Sequence, residues 1–134
     1  MNQDPDKFLS MIRSARRGRH KIYLGYCAGV GKTIQMLKEA HRLRDIEKLD
    51  VVIGILETHG RAETAACRGD LEEVPRRKVL HRQIEITEMN VPAILARHPQ
   101  VVLVDELAHT NVPGSKNPKR YQDVEELLEA GIHV

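Results

Sequence analysis

The chain has 134 residues, 41% of them apolar and 30% charged, and a net charge of +2. That is one domain's worth of sequence, able to bury a core of its own. With three Tyr, one Phe and no Trp, it offers almost no stacking platform for bases and no electrostatic grip on a polyanion, so an ATP-driven nucleic-acid motor is disfavoured. No apolar run approaches the ~20 residues that cross a bilayer. The first residues are not a secretory signal, and Cys27 and Cys67 show neither metal-ligand spacing nor a disulfide framework. The expected setting is the cytoplasm.

In chain order, Asp4-Pro5 reads as a helix start, with Phe8, Met11, Ile12 and Ala15 on one face and Gly18 as the stop. Lys21-Ile22-Tyr23-Leu24 is a short apolar run. It leads into Gly25-Tyr26-Cys27-Ala28-Gly29-Val30-Gly31-Lys32-Thr33, and a helical stripe of Met36, Leu37, Ala40, Leu43 and Ile46 follows to about Glu47. Strand, glycine-rich turn, Gly-Lys-Thr and helix is the layout of a phosphate-binding loop. Backbone N–H groups converge there on one phosphate at a helix N-terminus, which small residues permit. Gly29, Val30 and Gly31 form the cradle, Lys32 reaches the β- and γ-phosphates, and the Thr33 hydroxyl ligates Mg²⁺. The strict pattern has glycine at the first position; here Tyr26 stands there, just after Gly25.

Asp50 to Leu56 is a continuous apolar run with β-branched residues, expected to be a strand buried on both faces. Glu57-Thr58-His59-Gly60-Arg61 follows at its end. Ala62 to Cys67 suggests a short helix broken by Gly69. Residues 70–87 are weakly patterned, with Lys78 to His81 as the candidate third strand. The basic clusters Arg13 to Lys21 and Arg76 to Lys78 read as solvated surface charge. Asn90 caps a helix with Pro92 in its first turn, Val91, Ile94 and Leu95 inward, and Pro99 after it. Val101 to Val104 is a second buried run. A polar loop with Pro113, Gly114 and Pro118 leads to a last helix, whose apolar face is Val124, Leu127 and Leu128 and whose stop is Gly131. Ile132 to Val134 opens a further strand. Strands alternating with helices predict a right-handed βαβ arrangement around a parallel sheet. No internal repeat or domain boundary is evident.

Mg²⁺ at a phosphate loop also needs a carboxylate at the end of a neighbouring buried strand. Asp105, directly after Val101 to Val104, meets that requirement and with Thr33 forms the expected Mg²⁺ pair. Glu106 is the candidate catalytic base; a simple surface carboxylate, or one that tunes metal affinity, is an equal reading. Glu57, His59 and Arg61, then His109, Thr110 and Asn111, and Lys119-Arg120 lie at strand ends, where open α/β sheets bind ligands. Arg61 suits a phosphate, a partner or a helix cap. His59 and His109 suit either the γ-phosphate region or structural hydrogen bonds.

Four strings together resemble the KdpD family of bacterial osmosensitive potassium-channel sensor histidine kinases, in its N-terminal cytoplasmic domain. They are Gly29 to Thr33, Glu57 to Thr64 (ETHGRAET), Val101 to Asn111 (VVLVDELAHTN) and Lys119 to Ile132 (KRYQDVEELLEAGI). The resemblance runs from about Asp4 to the C-terminus. It implies an α/β, P-loop NTPase-like three-layer sandwich with a mostly parallel sheet, one domain over residues 1–134 that continues past Val134 and is truncated here. The family's Walker A loop matches Gly25 to Thr33, with Tyr26 and Cys27 for smaller residues and Ala28 where proline is usual; its Walker B strand matches Val101 to Asp105. The implied function is regulatory: ATP with Mg²⁺ shifts the parent's balance of kinase and phosphatase activities toward a response regulator controlling potassium uptake.

The implied partners are ATP, the parent's remaining domains and, indirectly, that regulator. Nucleic acid and a membrane segment of this chain are not among them. No phosphoacceptor helix or ATP-lid motif of a kinase core is visible, so His41 and His81 are not phosphoacceptors and little or no turnover is expected. The alternative is a free-standing phosphate-loop enzyme, such as a small-molecule kinase or a corrinoid adenosyltransferase-like transferase.

Overall fold

The computed structural model describes residues 17–23, 30–58 and 60–134. Its elements, in chain order, are α1 (Val30–Asp45), β1 (Val51–Ile55), α2 (Ala62–Arg68), β2 (Glu72–Glu73), β3 (Arg77–His81), β4 (Ile84–Glu88), α3 (Val91–Arg97), β5 (Val101–Val104) and α4 (Arg120–Glu129). The helix expected before Gly18, together with Leu24, Gly25 to Gly29 and His59, lies outside the described residues.

Uninterrupted β-branched runs form the centre. β1 is buried at every position, pairs in parallel with β5 on one side and with the short β2 on the other, and so gives the order β2-β1-β5. Helices cover both faces. Val51, Ile53, Val101 and Leu103 pack with Leu37 and Ala40 of α1; Val52, Ile55 and Val102 pack with Val91 and Ile94 of α3 and Leu127 of α4. Strict alternation would place Ile53 and Ile55 on the same face. The register shifts between them, and the bulge at Gly54 turns Ile55 to the other side.

Beyond β5 the sheet is continued by backbone pairing outside the named strands. His133 forms a parallel bridge with Val101. Val134 N donates to Arg19 O and Lys21 N to Val134 O, both at 2.9 Å, the slanted pattern of a parallel pair. Residues 21–23 carry no strand of their own, but Lys21 pairs with the strand start expected at 132–134. Gly18 makes this edge possible: a Cβ there would lie 1.9 Å from the Ile132 carbonyl oxygen. Arg19 N also donates to His133 Nδ1 at 2.9 Å.

The remaining expected elements form with small shifts. α1 ends at Asp45, so Ile46, expected on its apolar stripe, lies outside it and is exposed; α2 ends at Arg68 before Gly69, whose φ is 57°. Asn90 Oδ1 accepts from Ala93 N at 3.1 Å, with Pro92 in the first turn and His98 closing α3 in the left-handed region. Val124, Leu127 and Leu128 are the buried apolar residues of α4.

One expectation is corrected. Lys78 to His81 is a strand, but it pairs antiparallel with Ile84–Thr87 in a separate hairpin, β3–β4, and the third position in the parallel sheet belongs to Glu72–Glu73. Arg82 and Gln83, at φ 51° and 66°, form the turn, a mirror-image geometry usually signalled by Asn or Gly. The Arg76 to Lys78 cluster is also more than solvated charge. Arg76 donates to the Leu56 carbonyl and reaches Glu57, Glu73 and Thr87, tying the end of β1 to the hairpin.

Two predictions follow from the packing and the edge. A Cβ on Gly54 would stand 2.9 Å from Val102 Cγ2 and 3.2 Å from Leu103 O, so Gly54→Val is expected to cost about 1–3 kcal/mol, read as a lowered urea midpoint. At the edge, burial and then Arg19 hold the His133 pKa below its ordinary 6.5; burial and then Arg17 do the same for His20. The unfolded chain therefore binds more protons just below that value, and the stability present above about pH 6.5 is lost as pH falls. Urea midpoints should drop between about pH 7.5 and 5.5, and less steeply in His133→Asn, which keeps an acceptor but cannot titrate.

Candidate functional site

α1 is Val30–Asp45, with Gly31, Lys32 and Thr33 in its first turn, and the N–H groups at the start of a helix have no intrahelical acceptor. No acidic residue stands in that first turn to occupy them. Thr33 is buried and Lys32 half-buried. Across from them β5 ends in Asp105 and Glu106. All four residues line one cavity of about 600 Å³, whose apolar wall includes Met36, Leu107 and Tyr121. The structure therefore brings together the Gly-Lys-Thr end of the loop and the strand-end acids. Gly29 and the rest of the loop lie outside the described residues.

Asp105 is held in place from several sides. Its N–H donates to Ile55 O at 3.1 Å, extending the β1–β5 pairing by one rung. Its Oδ2 accepts from Glu57 N at 3.1 Å and its Oδ1 from Glu106 N at 3.0 Å. Each carboxylate oxygen keeps acceptor capacity for a further ligand. Glu106 has φ 52°, a left-handed conformation that costs a non-glycine residue free energy and marks functional turns more often than others. On the far side of the same peptide, Arg120 Nη1 donates to Asp105 O at 2.9 Å.

Arg120 is 1% exposed. Its burial lowers its pKa, against the raising influence of Glu88 and more distant acids. Glu88, the last residue of β4, is 2% exposed. It accepts from His109 Nε2 at 2.7 Å and from Val112 N at 3.0 Å, and it lies 3.6 Å from Arg120 Nη2. His109 is thus engaged by Glu88 and does not line the cavity; neither does Arg61, which sits exposed at the N-cap of α2.

Glu88 escaped the sequence reading, because the signal for it was only an acid just after the weakly patterned 70–87 stretch. Arg120 appeared only as half of a Lys-Arg pair at a strand end. The loop between Glu106 and α4 folds back on itself through the Thr110–Lys119 bridge and is anchored on Asp123. That carboxylate accepts from Asn111 at 2.8 Å and from Asn117 at 2.9 Å. Asp123→Ala should cost about 1–3 kcal/mol and speed proteolysis within residues 112–118, both measurable on the purified chain.

Residues 16–134 match the family described as the osmosensitive K⁺ channel His kinase sensor domain, KdpD. The chain belongs to the KdpD sensor-domain family. It is 51% identical over 134 residues to the sensor protein KdpD of Escherichia coli (strain K12), covering all of this chain and 15% of that protein. It is 56% identical over 121 residues to the sensor protein KdpD of Mycobacterium tuberculosis (strain ATCC 25618 / H37Rv), covering 90% of this chain and 14% of that protein. The sensor protein KdpD of Clostridium acetobutylicum is 42% identical over 135 residues, 98% of this chain and 15% of that protein. The chain therefore spans about 15% of the length of these KdpD relatives. Among the described residues of this KdpD-family segment, no helix is long and apolar enough to cross a membrane.

Proposed function

We propose that this segment is a regulatory ATP-binding module of a KdpD-type sensor histidine kinase. In this reading it works in the cytoplasm within a two-component system that controls potassium uptake. The observation that carries the reading is the convergence of Lys32 and Thr33 with Asp105 and Glu106 on one cavity. A P-loop NTPase-like sandwich is part of the same proposal, supported by helices on both faces of a parallel sheet and by α1 opening on Gly-Lys-Thr.

The donor set fits the ligand. Among the described residues no three His, Cys, Asp or Glu converge as a metal cage. One hydroxyl and one carboxylate suit Mg²⁺, which keeps several waters and takes its remaining oxygens from phosphates. In this reading the first-turn N–H groups of α1 and the Lys32 ammonium hold the β- and γ-phosphates. Thr33 and Asp105 hold Mg²⁺, which when bound neutralises phosphate charge. Glu106 stands beside them as the candidate base or metal-tuning carboxylate. The module reports nucleotide occupancy to the parent's other domains, and through them to a response regulator, with little or no turnover of its own.

Calorimetry with ATP, in Mg²⁺ and in EDTA, tests this. Saturable binding strengthened by Mg²⁺ is expected; no binding in either condition overturns the reading. Lys32→Ala should weaken ATP binding by roughly 1.5–3 kcal/mol, the range for hydrogen bonds to charged groups. Asp105→Asn should weaken it only with Mg²⁺ present, and an equal loss in EDTA would mark Asp105 as structural.

A further inference from the structure

The same peptide that carries Glu106 into the left-handed region is held on both sides. On its N–H side, Glu106 N donates to Asp105 Oδ1 at 3.0 Å. On its carbonyl side, Asp105 O accepts from Arg120 Nη1 at 2.9 Å. A strained peptide of this kind persists only when its surroundings over-determine it, and turning it over would break both bonds. The Asp105 carboxylate would then lose the N–H that fixes one of its two oxygens.

Arg120 is an expensive way to hold one carbonyl. A fully buried guanidinium demands a counter-charge and satisfied donors, yet Arg120 Nε has no partner among the described residues. Its counter-charge, Glu88, is itself buried, 3.6 Å away and held by Val112 N and His109 Nε2. A simple structural plug at this position would be served as well by an apolar side chain. An arginine that reaches both a buried acid and the carbonyl before Glu106 serves the orientation of that turn.

We propose that Arg120, backed by Glu88, is a positioning residue for the strand-end carboxylates: it locks the Asp105–Glu106 peptide so that Asp105 presents its oxygens to a cation beside Thr33. This rests on the ATP–Mg²⁺ reading above. Neither Arg120 nor Glu88 lines the cavity, so neither touches the ligand, and their influence is confined to the metal-dependent part of binding.

The test is ATP affinity of the chain in Mg²⁺ and in EDTA, for wild type, Arg120→Met, Arg120→Lys and Glu88→Gln. The ratio of the two affinities should fall by about 10- to 100-fold in Arg120→Met, the usual loss when a group behind a metal ligand is removed, with the EDTA affinity unchanged. Arg120→Lys, which keeps a cationic donor near Asp105 O, should recover part of the ratio. If Arg120→Met does not fold, Glu88→Gln decides, since it keeps the volume and one of the two acceptor oxygens of Glu88 while removing the charge that faces Arg120. An unchanged ratio in Arg120→Met, or in Glu88→Gln where Arg120→Met does not fold, overturns the proposal, and so does an equal loss in both conditions. A wild-type chain that shows no Mg²⁺-strengthened ATP binding overturns the ATP–Mg²⁺ reading itself, and this proposal with it.

Discussion

Because β1 and β5 run parallel and in register from Val51↔Val101, both strands leave the core at the same end, and every group of the candidate site is placed by that fact. The pairing continues past β5 to Asp105, whose N–H meets Ile55 O. The Asp105 carboxylate then lies where Glu57 N, at the end of the neighbouring strand, can donate to it. α1 packs across the same two strands through Leu37 and Ala40, which sets its N-terminal turn over their carboxyl ends. Antiparallel pairing of the same strands would have put these groups at opposite ends of the sheet.

Beneath that end lies a polar cluster beside a mainly aliphatic core. Arg120, Glu88, Asn111 and Asp123 are all buried. Burying such groups is costly unless each is paired, and a buried ion pair is weak evidence of added stability. Their arrangement instead gives geometric definition. One carboxylate, Glu88, joins the foot of the β3–β4 hairpin to His109, to the backbone of Val112 and to Arg120. The loop after β5 is thereby fixed by side chains from β4 and α4, although it has no regular structure of its own.

The sheet and its helices were legible in the sequence because their signals are periodic. Continuous β-branched runs gave β1 and β5, while the spacing of Leu37, Ala40 and Leu43, and of Val124, Leu127 and Leu128, gave the buried faces of α1 and α4. Local chemistry was legible as well, in Asn90 before Pro92 and in Asp105 after an apolar run. The hairpin was not, because Arg82 and Gln83 adopt positive φ without the glycine or asparagine that announces such a turn, and because Leu80 and Ile84 are exposed and give no clean alternation. The partners of Arg76, His109 and Arg120 were hidden for a different reason. Each pairs across sequence separations that no local pattern encodes, and a cluster of basic residues looks the same whether it is solvated or buried.

Arg19 and His133, the pair that closes the sheet's edge, are 114 residues apart. A contact of that span incurs its loop-closure entropy only after the intervening strands have assembled. Lys21 and Tyr23 hang on this edge and face the cavity together with Lys32. A ligand that filled the cavity and touched these side chains would join the edge of the sheet to the start of α1, and by mass action would stabilise both.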